Sequence, residues 1–170
     1  MILKKNLVFI GMMGSGKSSI GHLVSKKLSL NFTDIDNEIE NLVGMKIYNI
    51  FEKKGENFFR RLEEKISLNI LKTNSGIVSL GGGGFINEKI RKEVLNNHFS
   101  FWLNWDLEVL LKRIKDSKKR PLAFNSTDEE ILNLIKKRSK IYSKAKFKIN
   151  CNNLTKAEIV KKVIKIYETN

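Results

Sequence analysis

Eight consecutive residues, Gly11-Met12-Met13-Gly14-Ser15-Gly16-Lys17-Ser18, carry the complete spacing of a phosphate-binding loop between an apolar run and a helical pattern. Glycines let the backbone curl until its N–H groups converge on phosphate oxygens, and the following helix adds the positive end of its dipole. In that arrangement Lys17 reaches the β- and γ-phosphates of a nucleotide, and Ser18 offers a hydroxyl to Mg²⁺. The pattern specifies a nucleotide and leaves the phosphate acceptor open.

Four further groups bear on the acceptor. Asp34-Ile35-Asp36 falls at the carboxyl end of a second apolar run, the edge at which open parallel sheets bind ligands. Residues two apart on a strand share a side, so both carboxylates are expected to face the loop, one near Mg²⁺ and one near an acceptor hydroxyl. A helix N-cap at Asp36 is the alternative use of that aspartate. In Gly55-Glu56-Asn57-Phe58-Phe59-Arg60-Arg61-Leu62-Glu63, Arg60 and Glu63 lie one helical turn apart. That pair serves either as a solvated ion pair or as a support aiming a guanidinium at a carboxylate ligand. Gly81-Gly82-Gly83-Gly84 ends a third apolar run, where glycines admit a ligand against the backbone. Lys118-Lys119-Arg120-Pro121-Leu122 lies in a polar stretch, 116–127, that reads as a solvated loop or as a cationic lid offering Arg120 to a transferring phosphoryl group.

Strands are expected at 6–10, 32–35, 77–80, 100–103 and 147–149, with Trp102 and Trp105 beside the fourth. Helices are expected at 17–30, 38–43, 47–54, 56–72, 88–95, 107–115, 129–142 and 157–167. The first would bury Ile20, Leu23, Val24 and Leu28, and Thr155 with Glu158 forms a capping box before the last. Strands alternating with helices imply an α/β fold, a parallel sheet with crossover helices on both faces, in one domain over 1–170.

Composition is that of a soluble globular chain, 41% hydrophobic and 29% charged. The single cysteine, Cys151, excludes an intrachain disulfide and reads as a small strand-end residue. No apolar run reaches the roughly 18 residues of a membrane span, and 7–10 is too short for a signal-peptide core, so a cytoplasmic location is expected. The net charge of +14 is dispersed in Lys-Lys pairs along the chain. It argues against a dedicated nucleic-acid stripe and would attract an anionic nucleotide and an acidic substrate.

Taken in this order, the motifs resemble those of the shikimate kinase family from about residue 7 to residue 142. The family pattern G-x-x-G-x-G-K-[ST] is matched at 11–18 and D-x-D at Asp34 and Asp36. G-E-x-x-F-R-x-x-E is matched at Gly55, Glu56, Phe59, Arg60 and Glu63, and G-G-G at Gly81, Gly82 and Gly83. R-P-L is matched at Arg120, Pro121 and Leu122, and a late R-x-x-x-Y at Arg138 and Tyr142. The resemblance implies a three-layer P-loop kinase fold with a five-stranded parallel sheet, substrate-binding helices at about 36–64 and a lid at about 116–127. It implies transfer of the γ-phosphoryl group of ATP to the 3-hydroxyl of shikimate, with Mg²⁺. Apart from the resemblance, a monomer without nucleic-acid or membrane partners is expected.

Under that resemblance Gly14, Ser15, Gly16, Lys17, Ser18 and Ser19 cradle the nucleotide phosphates, with Ser18 and Asp34 at the metal. Arg113 stacks on adenine and Arg120 reaches over ATP. Asp36, Arg60, Gly82, Gly83 and Arg138 hold shikimate, with Asp36, Lys17 and Arg120 as the catalytic groups. The chain departs from the family at Ser139-Lys140-Ile141, where proline and leucine are usual, at Ala123 after R-P-L, and at Gly84 in place of a common alanine. The alternatives are a kinase for another polyol acid such as gluconate, which the Phe59-Arg60 and Gly81–Gly83 motifs disfavour, and a nucleotide-responsive binding protein, which salt-sensitive nucleic-acid binding without phosphate release would reveal.

Overall fold

A computed structural model describes residues 5–73, 75–117 and 126–170. Five strands, β1 (Leu7–Ile10), β2 (Phe32–Asp34), β3 (Ile77–Ser79), β4 (Phe99–Asn104) and β5 (Phe147–Asn150), form one sheet in the order β2-β3-β1-β4-β5. Every pairing is parallel. Among the described residues the α-helices are α1 (Lys17–Leu28), α2 (Ile35–Val43), α3 (Ile47–Lys54), α4 (Glu56–Thr73), α5 (Glu88–Asn97), α6 (Leu107–Lys115), α7 (Asp128–Tyr142) and α8 (Lys156–Glu168).

β1 shows why the sheet is buried on both faces. All four of its residues are apolar, and successive side chains alternate between faces. Val8 and Ile10 join a core with residues of α2 to α7, while Leu7 and Phe9 join a second core with α1 and α8. The chain leaves this central strand toward β2 on one side and later crosses to β4 on the other. The P-loop therefore sits at the switch point at the strands' carboxyl ends, where such sheets bind ligands.

Local signals explain most boundaries, with three corrections. α1 ends at Leu28 because Ser29 turns into the left-handed region (φ 52°), returning its N–H to Ser25. Leu23 is 38% exposed instead of buried, because the buried stripe runs through Lys17, Ile20, Gly21 and Val24 and leaves Leu23 on its shoulder. α2 begins at Ile35, earlier than expected, because Asp34 Oδ1 accepts from the N–H groups of Asp36 (3.0 Å) and Asn37 (3.4 Å) and so starts the helix. Lys46 cannot cap α3, so Glu40 of α2 does it from a distance, accepting the Ile47 N–H at 3.0 Å. Both α7 and α8 open on capping boxes, at Thr127 with Glu130 and at Thr155 with Glu158.

Candidate active site

Gly16 adopts φ +88° at the N-cap of α1, which turns the loop so that the helix starts at Lys17 under the mouth. Lys17 is 7% exposed, and its Nζ donates to the carbonyls of Gly11 and Met12, each at 2.9 Å. An ammonium held at that position across the loop can meet phosphate oxygens with little reorganisation.

Ser18 Oγ donates to Asp34 Oδ2, so the two proposed metal-binding oxygens stand in direct contact beside the loop. Asp34 does double duty, because its other oxygen caps α2 and fixes the carboxylate's orientation. Among the described residues no group of three or more His, Cys, Asp or Glu could hold a metal by itself. A hydroxyl and one carboxylate, completed by phosphate oxygens and water, suit Mg²⁺ as a hard cation that keeps part of its hydration shell. The residues fit the ion.

Asp36 lies in the first turn of α2 and not on the strand beside Asp34, as the alternation rule had implied. It still reaches the acceptor side. A Cβ built at Gly81 would stand 2.5 Å from Asp36 Oδ1 and 2.7 Å from Glu63 Oε1. At Gly83 it would collide with the Arg60 guanidinium, and at Gly82 it would approach Met13 N (3.2 Å) and Arg138 Nη1 (3.6 Å). The run of glycines is thus a wall whose missing side chains make room for Asp36, Glu63, Arg60 and Arg138. All four polar groups converge on three successive glycines.

Arg60 is gripped from its own helix. Its Nη1 donates to Glu63 at 2.7 Å, and Nε and Nη2 donate to Glu56 at 3.2 and 3.1 Å. Glu63 is only 2% exposed, so the pair is not the solvated one that spacing alone allowed. Burial pushes the Glu63 carboxyl above the usual carboxylate range, and nearby Asp36 adds to this, against the pull of Arg60 and Arg138. On α7, Arg138 Nη1 donates to the Gly82 carbonyl at 3.4 Å. The Tyr142 hydroxyl, from the next turn of the same helix, donates to that carbonyl as well. Burial raises the Tyr142 phenol to about 12, so it remains a donor at neutral pH. Ser139-Lys140-Ile141 leaves Arg138 and Tyr142 on one continuous helix, directed at one carbonyl.

A cavity of about 1110 Å³ joins Gly14, Gly16, Lys17, Ser18 and Ser19 to Asp34 and Asp36. Arg60, Gly82, Gly83 and Arg138 adjoin through the glycine wall without lining that cavity. Lys46, Tyr48 and Asn49 of the α2–α3 region do line it, and no sequence motif had singled them out. A second cavity, about 460 Å³, lies on the other flank of the P-loop and is lined by Arg113 with Gly14, Ser15, Gly16 and Ser19. Arg120 and most of the proposed lid lie outside the described residues. Cys151 is buried just after β5, and burial raises its thiol to about 12, which removes it as a nucleophile.

A five-stranded parallel sheet with a P-loop at its switch point, a carboxylate–hydroxyl pair beside the loop and a facing acid–arginine wall define a P-loop kinase fold built for a small anionic acceptor. The family model described as "Shikimate kinase" matches residues 13–168. The chain belongs to the shikimate kinase family. A curated shikimate kinase from Thermodesulfovibrio yellowstonii is 39% identical over 165 residues, covering 96% of this chain and 95% of the relative. The crystal structure of shikimate kinase from Aquifex aeolicus superposes with a TM-score of 0.84 at 39% identity, covering 96% of each chain. The shikimate kinase from Acinetobacter baumannii in complex with shikimate superposes with a TM-score of 0.91 at 28% identity, covering 98% of this chain and 94% of that one.

Proposed function

We propose that this chain, acting as one domain, transfers the γ-phosphoryl group of ATP to the 3-hydroxyl of shikimate, giving ADP and shikimate 3-phosphate. The observation that carries this reading is the convergence of Asp36, Arg60, Glu63 and Arg138 on Gly81, Gly82 and Gly83, beside a P-loop. Shikimate is a small carboxylate with three hydroxyls. Two arginines suit its carboxylate, an aspartate suits its hydroxyls, and bare glycine backbone lets a flat ring approach.

In this reading Arg60 and Arg138 fix the carboxylate and thereby the ring. Gly82 and Gly83 contact the substrate through the backbone, and Asp36 orients the 3-hydroxyl and takes its proton as the O–P bond forms. Lys17, and Arg120 from the R-P-L motif, would neutralise the charge spread over the transferring group. Ser18 and Asp34 would hold Mg²⁺, which supplies charge neutralisation at the phosphate oxygens when bound. Ser15, Ser19 and the loop glycines hold the remaining phosphates, and Arg113 meets the adenine. The chemistry is positioning and electrostatics, with no covalent intermediate on the protein.

Among the described residues no helix is long and apolar enough to cross a membrane. We place the enzyme in the cytoplasm as a monomer, with shikimate and ATP as its partners and no nucleic-acid partner. The test is ADP release with Mg²⁺, ATP and a panel of shikimate, quinate, gluconate and nucleoside monophosphates, run beside Lys17→Ala. Shikimate-dependent turnover that vanishes in the variant is expected. Turnover with a different acceptor instead would discard the substrate assignment while keeping the kinase.

A further inference from the structure

Trp105 lies between β4 and α6 and has no part in the reading above. It is half-buried and packs at the junction of both hydrophobic cores. Two contacts set it apart from an ordinary core tryptophan. Its indole Nε1–H donates to the carbonyl of Ser15 at 2.9 Å, so the ring is pinned to the P-loop itself. Its face carries the Arg113 guanidinium, with Cζ 3.9 Å from the ring centroid. That separation is a stacking distance, and tryptophan is the strongest aromatic partner for a cation.

Arg113 is held on a second side by Gly14. Its Nη1 lies 3.4 Å from the Gly14 carbonyl, and a Cβ at Gly14 would come within 3.3 Å of the Arg113 Cβ. Trp105 and Arg113 both line the 460 Å³ cavity beside the phosphate loop. An exposed arginine has several rotatable bonds and would lose their freedom on stacking against a ligand. Resting on an indole, this one has lost that freedom in advance, and a planar guanidinium with one face occupied offers a flat face for a second ring.

We propose that Trp105 is a positioning residue for nucleotide recognition: it holds Arg113 in place, so that the base of the nucleotide binds as the third layer of an indole–guanidinium–base stack. The inference rests on the ATP-dependent reading and on Arg113 as the base-contacting side chain. The hydrogen bond to Ser15 ties this stack to the phosphate cradle, which fixes the distance between base and phosphate subsites. Trp105 thus acts through Arg113 and not on the reacting atoms.

Calorimetric titration of wild type, Trp105→Leu, Trp105→Phe, Arg113→Ala and the Trp105→Leu/Arg113→Ala double variant with ADP and with inorganic tripolyphosphate tests this. Removing the ring should weaken ADP binding about 10-fold, the order of the rotamer freedom that Arg113 would then lose on stacking against the base. Tripolyphosphate, which has no base, should bind each variant within about twofold of wild type, and this also reports that the fold is intact. Trp105→Phe, which keeps a ring face, should recover most of the ADP affinity. The double variant should be no weaker than Arg113→Ala, as expected for two residues acting as one unit. An equal loss for both ligands, or additive losses in the double variant, would overturn the inference. Shikimate-dependent turnover by wild type is measured alongside: its absence would overturn the substrate reading, whereas normal turnover with unchanged ADP affinity in Trp105→Leu would overturn only the role of Trp105.

Discussion

Replacing Gly83 by alanine would add a methyl group where the Arg60 guanidinium lies. The built Cβ stands 2.7 Å from Arg60 Cζ and 3.0 Å from Nη2. Nη1 lies nearer still, and comfortable contact between such atoms needs about 3.5–4.0 Å, so the guanidinium must withdraw by about 1.5 Å. It is the end of a flexible side chain that is 32% exposed and so can move. The atom nearest the new methyl, however, is the Nη1 that holds buried Glu63, so the folding penalty should be about 1–3 kcal/mol. The functional penalty is read separately. A charge-assisted hydrogen bond is worth about 1.5–3 kcal/mol, which corresponds to an increase of about 10- to 150-fold in the KM for shikimate. The KM for ATP should stay within about twofold, since the P-loop is untouched.

Steady-state kinetics with each substrate varied in turn would measure this, with two controls. Gly84→Ala should be nearly silent, because its new Cβ meets Leu80 Cβ at an ordinary 3.4 Å. Gly83→Ala should add nothing to Arg60→Ala, which separates displacement of Arg60 from a clash with substrate. A KM for shikimate unmoved by Gly83→Ala, or equal damage from Gly84→Ala, would refute the argument that the glycines exist to admit these side chains.

Three other outcomes are expected. Asp36→Asn should lower kcat by about 10²–10⁴-fold while calorimetric ATP affinity is retained, since it removes a proton acceptor and not a nucleotide contact. Arg60→Ala should destabilise the fold by about 3 kcal/mol at neutral pH, because Glu63 is left buried without its ion pair. Glu63 already has a raised pKa, so the folded state binds its proton more tightly than the unfolded chain does, and stability falls as pH rises from the ordinary carboxylate value through the folded one. Urea unfolding of Arg60→Ala should therefore reveal a greater loss relative to wild type at about pH 8 than at about pH 5, and a pH-independent loss would contradict it. Tyr142→Phe removes a buried donor to the Gly82 carbonyl. It should cost about 1–3 kcal/mol of stability, measured by denaturant unfolding, and raise the KM for shikimate more than that for ATP.

The parts of the site legible in the sequence are those whose chemistry is local. A P-loop is eight contiguous residues whose spacing is the mechanism, and it stands where the pattern placed it. The strands of the sheet and the boundaries of α3 and α6 also followed from apolar runs and from Gly44, Gly55 and the 3.6-residue period. Asp34-Ile35-Asp36 was harder, because an aspartate at a strand end and an aspartate at a helix N-cap look alike in one dimension. Only the structure reveals that Asp34 is both, and that Asp36 therefore points from a helix turn. The burial of Glu63 could not be read from an i,i+3 spacing, since it depends on α4 packing against glycines some twenty residues further along the chain. Leu23 failed for the same reason in reverse. Periodicity ranks it with its neighbours, and the position of α8 decides which side of α1 is covered. Trp105 and Tyr142 carried signals of type, an aromatic with a polar tip in each case, but nothing local names the carbonyls they meet.

The central claim is that the acceptor is shikimate and that Asp36 presents its 3-hydroxyl to ATP. The most direct test is to run the reaction to completion with Mg²⁺, ATP and shikimate and to assign the product by proton–phosphorus correlation spectroscopy. The account predicts one phosphomonoester, with phosphorus coupled to the proton on carbon 3, and no such product from Asp36→Asn. Phosphorus coupled to a different ring proton, or the same product at an undiminished rate from Asp36→Asn, would contradict it.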